Sequence, residues 1–189
     1  LRRELGMDVV QLVAQRRPRH RLPAVLARQR DDATHHRGKA QPLPGAEMRA
    51  REEICRVGAT LYQRGYVHSS AGNISVRLED GWLITPSDAC LGFLDPTAIA
   101  RVDREGRHVS GDRPSKTLAL HRLIYSECVD SSAVLHTHST HLVGLSLAGV
   151  WTHTDILPPI TPYYVMKVGH VPLISYHRPG DPAAAERVR

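Results

Sequence analysis

The residues of this chain best suited to chemistry are two histidines at alternate positions, His136-Thr137-His138, closing the apolar run Ala133–His136. Side chains in a strand alternate between faces, so His136 and His138 point the same way. Two imidazoles at i and i+2, leaving a buried strand, can reach one divalent metal. The pair alone is a weak signal. His141, in a helix beginning near Ser139, is expected to point elsewhere. Three short turns add a capacity for anions. Ser70-Ala71-Gly72-Asn73-Ile74-Ser75 is a small-residue loop opening a strand, and its backbone N–H groups, Asn amide and Ser hydroxyls can cradle a phosphate. Thr85-Pro86-Ser87-Asp88 is a second hydroxyl-rich turn. Pro114-Ser115-Lys116 is a third, at a helix N-terminus, where free N–H groups and the dipole favour anions. Each turn read singly is an ordinary turn or N-cap. Three beside a metal-competent pair make a stronger case for phosphate than any one.

These residues must be positioned by elements that the hydrophobic pattern announces. From Glu47 to Arg64, Ala50, Ile54, Val57 and Leu61 recur at three- and four-residue steps and Gly65 closes the run, which predicts an amphipathic helix. Ile74, Val76 and Leu78 alternate with polar residues, Asp80-Gly81 turns the chain, and Trp82-Leu83-Ile84 returns as the second strand of a hairpin. A second hairpin is expected from Ala98–Val102 and His108-Val109 around Glu105-Gly106. A helix over Thr117–Cys128 precedes the strand Ala133–His136. A short helix over Thr140–Ala148, extended pieces at Tyr163–Val168 and Val171–Tyr176, and a helix from Pro182 follow. Hairpins mixed with helices predict an α/β or α+β domain on a largely antiparallel sheet.

Charge divides the chain of 189 residues. Residues 1–45 hold ten basic and four acidic side chains, and 46–189 hold fifteen of each, so the whole net charge of +6 lies in the first quarter. A nucleic-acid-binding domain should carry that excess on its folded surface, so nucleic acid is disfavoured as a partner. Residues 1–45 are expected to be a basic, disordered extension outside the fold, with Met48 a natural initiator, and 46–189 the domain. No apolar run approaches a membrane span, so no membrane partner is expected. Cys55, Cys90 and Cys128, odd in number and without C-x-x-C, predict buried free thiols in a reducing, cytoplasmic setting.

Gly72-Asn73-Ile74-Ser75, Ile84-Thr85-Pro86-Ser87, Pro114-Ser115 followed by His121, and His136-Thr137-His138-Ser139 occur in an order and at spacings that resemble the class II aldolase/adducin superfamily. The resemblance runs from about Glu47 to the end. Ser110-Gly111-Asp112 through Lys116, Leu157-Pro158-Pro159-Ile160-Thr161-Pro162-Tyr163-Tyr164 onward, and His177-Arg178-Pro179-Gly180-Asp181 are similar to its 3-oxo-tetronate 4-phosphate decarboxylase branch. The resemblance implies a three-layer α/β/α fold on a central, mainly antiparallel sheet, here C-terminally incomplete, assembled as a homotetramer with shared active sites. It implies Zn²⁺ held by His136, His138 and a third histidine expected beyond residue 189. It implies substrate phosphate on Asn73, Ser87, Ser115 and Lys116, and Tyr163 of a neighbouring subunit as proton donor, with Tyr164 second. The implied reaction is decarboxylation of 3-oxo-tetronate 4-phosphate to dihydroxyacetone phosphate. The alternatives are a sugar-phosphate aldolase or epimerase, or an inactive adducin-like binding domain. One departure bears on activity: Thr117 stands where the family carries its catalytic glutamate, and threonine cannot serve as a carboxylate base.

Overall fold

The computed structural model describes residues 11–16, 45–148, 157, 161–169, 171–178 and 181–187. Its first helix, α1 (Ala46–Gln63), ends as its sequence requires. Gly65, at φ +71°, donates to the Tyr62 carbonyl while Tyr66 donates to that of Leu61, the paired bonds of a left-handed glycine cap. The two predicted hairpins follow as β2 (Asn73–Leu78) with β3 (Gly81–Ile84), and β4 (Ala100–Asp103) with β5 (His108–Ser110). Helix α2 (Leu118–Glu127) precedes β6 (Ser131–Thr137), and α3 (Thr140–Ala148) follows it.

All pairings in the sheet are antiparallel, in the order β1-β6-β2-β3-β4-β5, with β1 spanning Gln11–Arg16. The last strand in sequence therefore lies against the first hairpin, with Asn73 opposite His136 and Ser75 opposite Val134. Period-two alternation sorts the side chains between the two faces. Ile74 and Leu83 pack under α1 with Ile54, Val67, Leu91 and Ile99. Val134 and Trp82 pack under α2 with Leu120, Ile124 and Tyr125. Helices cover both faces, and the fold is the expected α/β/α arrangement. Arg77, pointing to the α2 side, donates to the carbonyls of Tyr125 and Ser131 and lies 4.5 Å over the Tyr125 ring. It thereby satisfies orphan acceptors where α2 ends.

Three expectations are corrected. Gln11–Arg16 is not outside the fold: it pairs along the outer edge of β6, where a row of unpaired backbone groups accepts another strand. The other residues before 45 lie outside the described set. Tyr163–Val168 is not extended but mostly helical, as α4 (Pro162–Lys167). Thr161 caps it, accepting from the Tyr164 N–H at 3.1 Å, and Pro162 supplies a preset first turn, a start signal that outweighs the β-branched and aromatic content. All three cysteines are free, but none is fully buried: Cys55 and Cys90 are half-buried, and Cys128, which terminates α2, is exposed. Val171–Arg178 forms neither helix nor strand, and α5 (Pro182–Arg187) packs on α2. Among the described residues no helix is long and apolar enough to cross a membrane.

Candidate functional site

The three turns read from sequence converge on the α2 face of the sheet, held there by backbone bonds. Ser87 N–H donates to the Arg113 carbonyl at 2.9 Å and Ser115 N–H to that of Thr85 at 3.2 Å, so the turn after β3 is fastened to the segment leading into α2. The Thr85 hydroxyl oxygen accepts from the Ile74 N–H, tying the same turn to β2. Gly72 brings the remaining loop in. Its φ of +84° is strained for any residue with a Cβ, and such an atom would lie 2.8 Å from the His136 carbonyl oxygen.

A cavity of about 350 Å³ results, lined by Asn73, Ser87, Ser115, Lys116, Thr117, His136 and His138. Its opposite wall is Val171–Ser175 with His177, Arg178 and Asp181. Every predicted anion and metal residue thus borders one space. Tyr163 does not: it is 72% exposed on α4 and is absent from the cavity wall. His141 is exposed and absent from it too.

His136 and His138 leave β6 on one side, with ring centroids 4.9 Å apart. His136 is 5% exposed, and neither of its ring nitrogens has a hydrogen-bond partner. A buried polar ring left unpaired costs roughly 1–3 kcal/mol, a cost that fits a group reserved for a ligand. Burial, with His138 nearby, pushes its pKa down to about 4, so the ring is the neutral donor a metal needs. The pair therefore fits a divalent ion. Among the described residues no group of three His, Cys, Asp or Glu side chains could hold one, so these residues supply two donors.

Behind the cavity wall lies a polar chain that sequence reasoning missed. His121 is fully buried, its Nδ1 2.7 Å from Ser75 Oγ and its Nε2 2.5 Å from Asn73 Oδ1. Ser75 Oγ meets the Tyr125 hydroxyl at 2.9 Å, and Thr117 Oγ1 donates to Asn73 Oδ1 at 2.9 Å. Burial, and secondarily the neighbouring His136 ring, pushes His121 down to about 3, so it is neutral. Burial raises Tyr125 to about 12, opposed by the Ser75 hydroxyl, Arg77 and the Val134 backbone. The sequence signal was available: Ser75 alternates out of an apolar strand, and His121, Ile124 and Tyr125 share one face of α2.

An antiparallel sheet between helix layers, with a histidine pair facing three anion-competent turns, defines a class: the class II aldolase fold. A family model described as the class II aldolase and adducin N-terminal domain matches residues 52–189. The chain belongs to this family, which is in general metal-dependent. It is 70% identical over 142 residues to a Cupriavidus necator protein named 3-oxo-tetronate 4-phosphate decarboxylase, covering 75% of this chain and 65% of that one. A Pectobacterium atrosepticum protein of the same name is 46% identical over 154 residues, covering 80% and 70%. The chain thus spans about two thirds of the length of these relatives. Among solved structures, Escherichia coli YgbL matches with a TM-score of 0.70 at 40% identity, covering 75% of this chain and 69% of that one. L-fuculose-1-phosphate aldolase from Thermus thermophilus matches with a TM-score of 0.60 at 27% identity, covering 76% and 69%.

Proposed function

We propose that this chain is a zinc-dependent lyase of sugar-acid phosphates that decarboxylates 3-oxo-tetronate 4-phosphate to dihydroxyacetone phosphate. The observation that carries the reading is the single cavity in which a histidine pair, the His136 ring without a hydrogen-bond partner, faces the hydroxyl and lysine groups of three turns. The names of its 70% and 46% identical relatives supply the substrate. Asn73, Ser87 and Ser115 donate hydrogen bonds to the phosphate, and Lys116 supplies positive charge at the start of α2. The phosphate then fixes the other end of the substrate toward His136 and His138. His136 and His138 would hold the metal ion, which would supply Lewis-acid stabilisation of the negative charge that develops on the substrate.

Loss of CO₂ leaves its bonding pair on the carbon next to the carbonyl, and protonation there completes the product. No base is needed to create that pair, so Thr117 at the family's glutamate position is compatible with decarboxylation. Tyr163, exposed on α4, is available to a neighbouring copy of the chain, in line with a homo-oligomer whose sites are shared. The test is incubation with 3-oxo-tetronate 4-phosphate and Zn²⁺. Zinc-dependent release of dihydroxyacetone phosphate and CO₂ is expected; zinc-loaded protein that binds the substrate and leaves it intact would overturn the reaction. Thr117 favours one second reading, an adducin-like binding domain, which predicts purified protein without zinc.

A further inference from the structure

The buried chain Tyr125–Ser75–His121–Asn73 has a direction. At its cavity end, Asn73 Oδ1 is a carbonyl oxygen that can only accept, so the proton between it and His121 lies on Nε2. His121 Nδ1 is then left as an acceptor and takes the Ser75 proton, and Ser75 Oγ takes the Tyr125 proton. An inverted Asn73 amide would turn every link round. At the cavity end Thr117 Oγ1 donates to the same Asn73 oxygen that His121 does.

We propose that Thr117 and His121 are positioning residues that hold the Asn73 carbonyl oxygen away from the ligand and so turn its amide N–H group toward it. An inverted amide would present an acceptor oxygen to an anion, and repel it. The inference rests on the phosphate-site reading above and deepens it: residue 117 orders the anion site instead of carrying a carboxylate. Thr117 and Asn73 both border the cavity, whereas Ser75 does not, which separates contact from positioning.

The test uses the full chain, ¹⁵N-histidine labelling and titration with inorganic phosphate. His121 is expected as a single Nε2–H tautomer. Thr117→Val should weaken phosphate binding about tenfold, the equivalent of one hydrogen bond, and Thr117→Ser should restore it. Ser75→Ala, which touches no ligand, should give a mixture of His121 tautomers and a weaker phosphate affinity at unchanged far-UV circular dichroism. An Nδ1–H tautomer in the unsubstituted chain, or phosphate affinity unmoved by both Thr117→Val and Ser75→Ala, would overturn the positioning role while leaving the phosphate site intact. Failure of the unsubstituted chain to bind phosphate, with the Nε2–H tautomer present, would instead remove the site reading on which the role depends.

Discussion

Lys116 donates to both carboxylate oxygens of Asp88, at 3.2 and 3.1 Å, joining the start of α2 to the turn after β3 across the mouth of the cavity. Asp88 sits at φ +60°, a left-handed conformation that aspartate tolerates better than most residues. Both side chains are largely in water, so the pair is weak, and a phosphate arriving at Lys116 competes with a carboxylate already there. Asp88→Asn should therefore tighten inorganic phosphate binding about two- to fivefold, and Lys116→Met should weaken it and flatten its salt dependence. Calorimetric titration at two ionic strengths reads both.

His136 couples stability to function in opposite directions. Replacing its unpaired, buried ring by an apolar side chain removes the unsatisfied nitrogens. His136→Leu should stabilise the metal-free protein by roughly 1–2 kcal/mol in urea unfolding and abolish zinc retention measured by elemental analysis. A destabilised variant would show that the ring nitrogens have partners in solution.

The buried histidines make stability fall with acid. His121 is held near 3 and His136 near 4 in the folded chain, against about 6.5 when unfolded. Below pH 6.5 the unfolded chain binds protons that the folded chain refuses. Their contribution is full above that pH and is lost as pH falls toward 4 for His136 and toward 3 for His121. Each adds a slope of up to about 1.4 kcal/mol per pH unit in that window. Unfolding in EDTA between pH 7 and pH 4.5 should show the decline, and His136→Leu should roughly halve it.

Gly72 can be replaced only at a cost to the loop it turns. Gly72→Ala meets both the +84° backbone and the His136 carbonyl oxygen, and should lower stability by about 1–3 kcal/mol. Because the clash pushes on the backbone of the metal-competent histidine, zinc affinity should fall with it. Denaturation and zinc titration on the same sample distinguish the two losses.

Local patterns in the sequence carried most of the fold. Ile74, Val76 and Leu78 with the Asp80-Gly81 turn specified the first hairpin, and the three- and four-residue spacing ending at Gly65 specified α1. The anion turns and the histidine pair were legible because small, hydroxyl and imidazole groups stood together in short motifs. Tyr163–Val168 was misread because its residue types favour strands while its helix start, Thr161-Pro162, lies just outside the run. The partner of Gln11–Arg16 was invisible, since strand pairing depends on which sheet edge is open rather than on the segment itself. The relay through His121 and Ser75 escaped because its members lie far apart in sequence and meet only when α2 packs over β2.

The strand order has a kinetic consequence. Both hairpins, β2–β3 and β4–β5, close through short turns, whereas β6 must return past all four strands to pair with β2. Non-local pairing of this kind carries its entropy cost before any reward and forms slowly. The Asn73–His136 register is thus a late event, and with it come the meeting of anion loop and histidine pair. A chain in which only the segment up to Ser115 has folded holds two hairpins and no site. Ligand affinity in this chain therefore reports long-range closure, and zinc or phosphate added during refolding should slow unfolding more than it speeds folding.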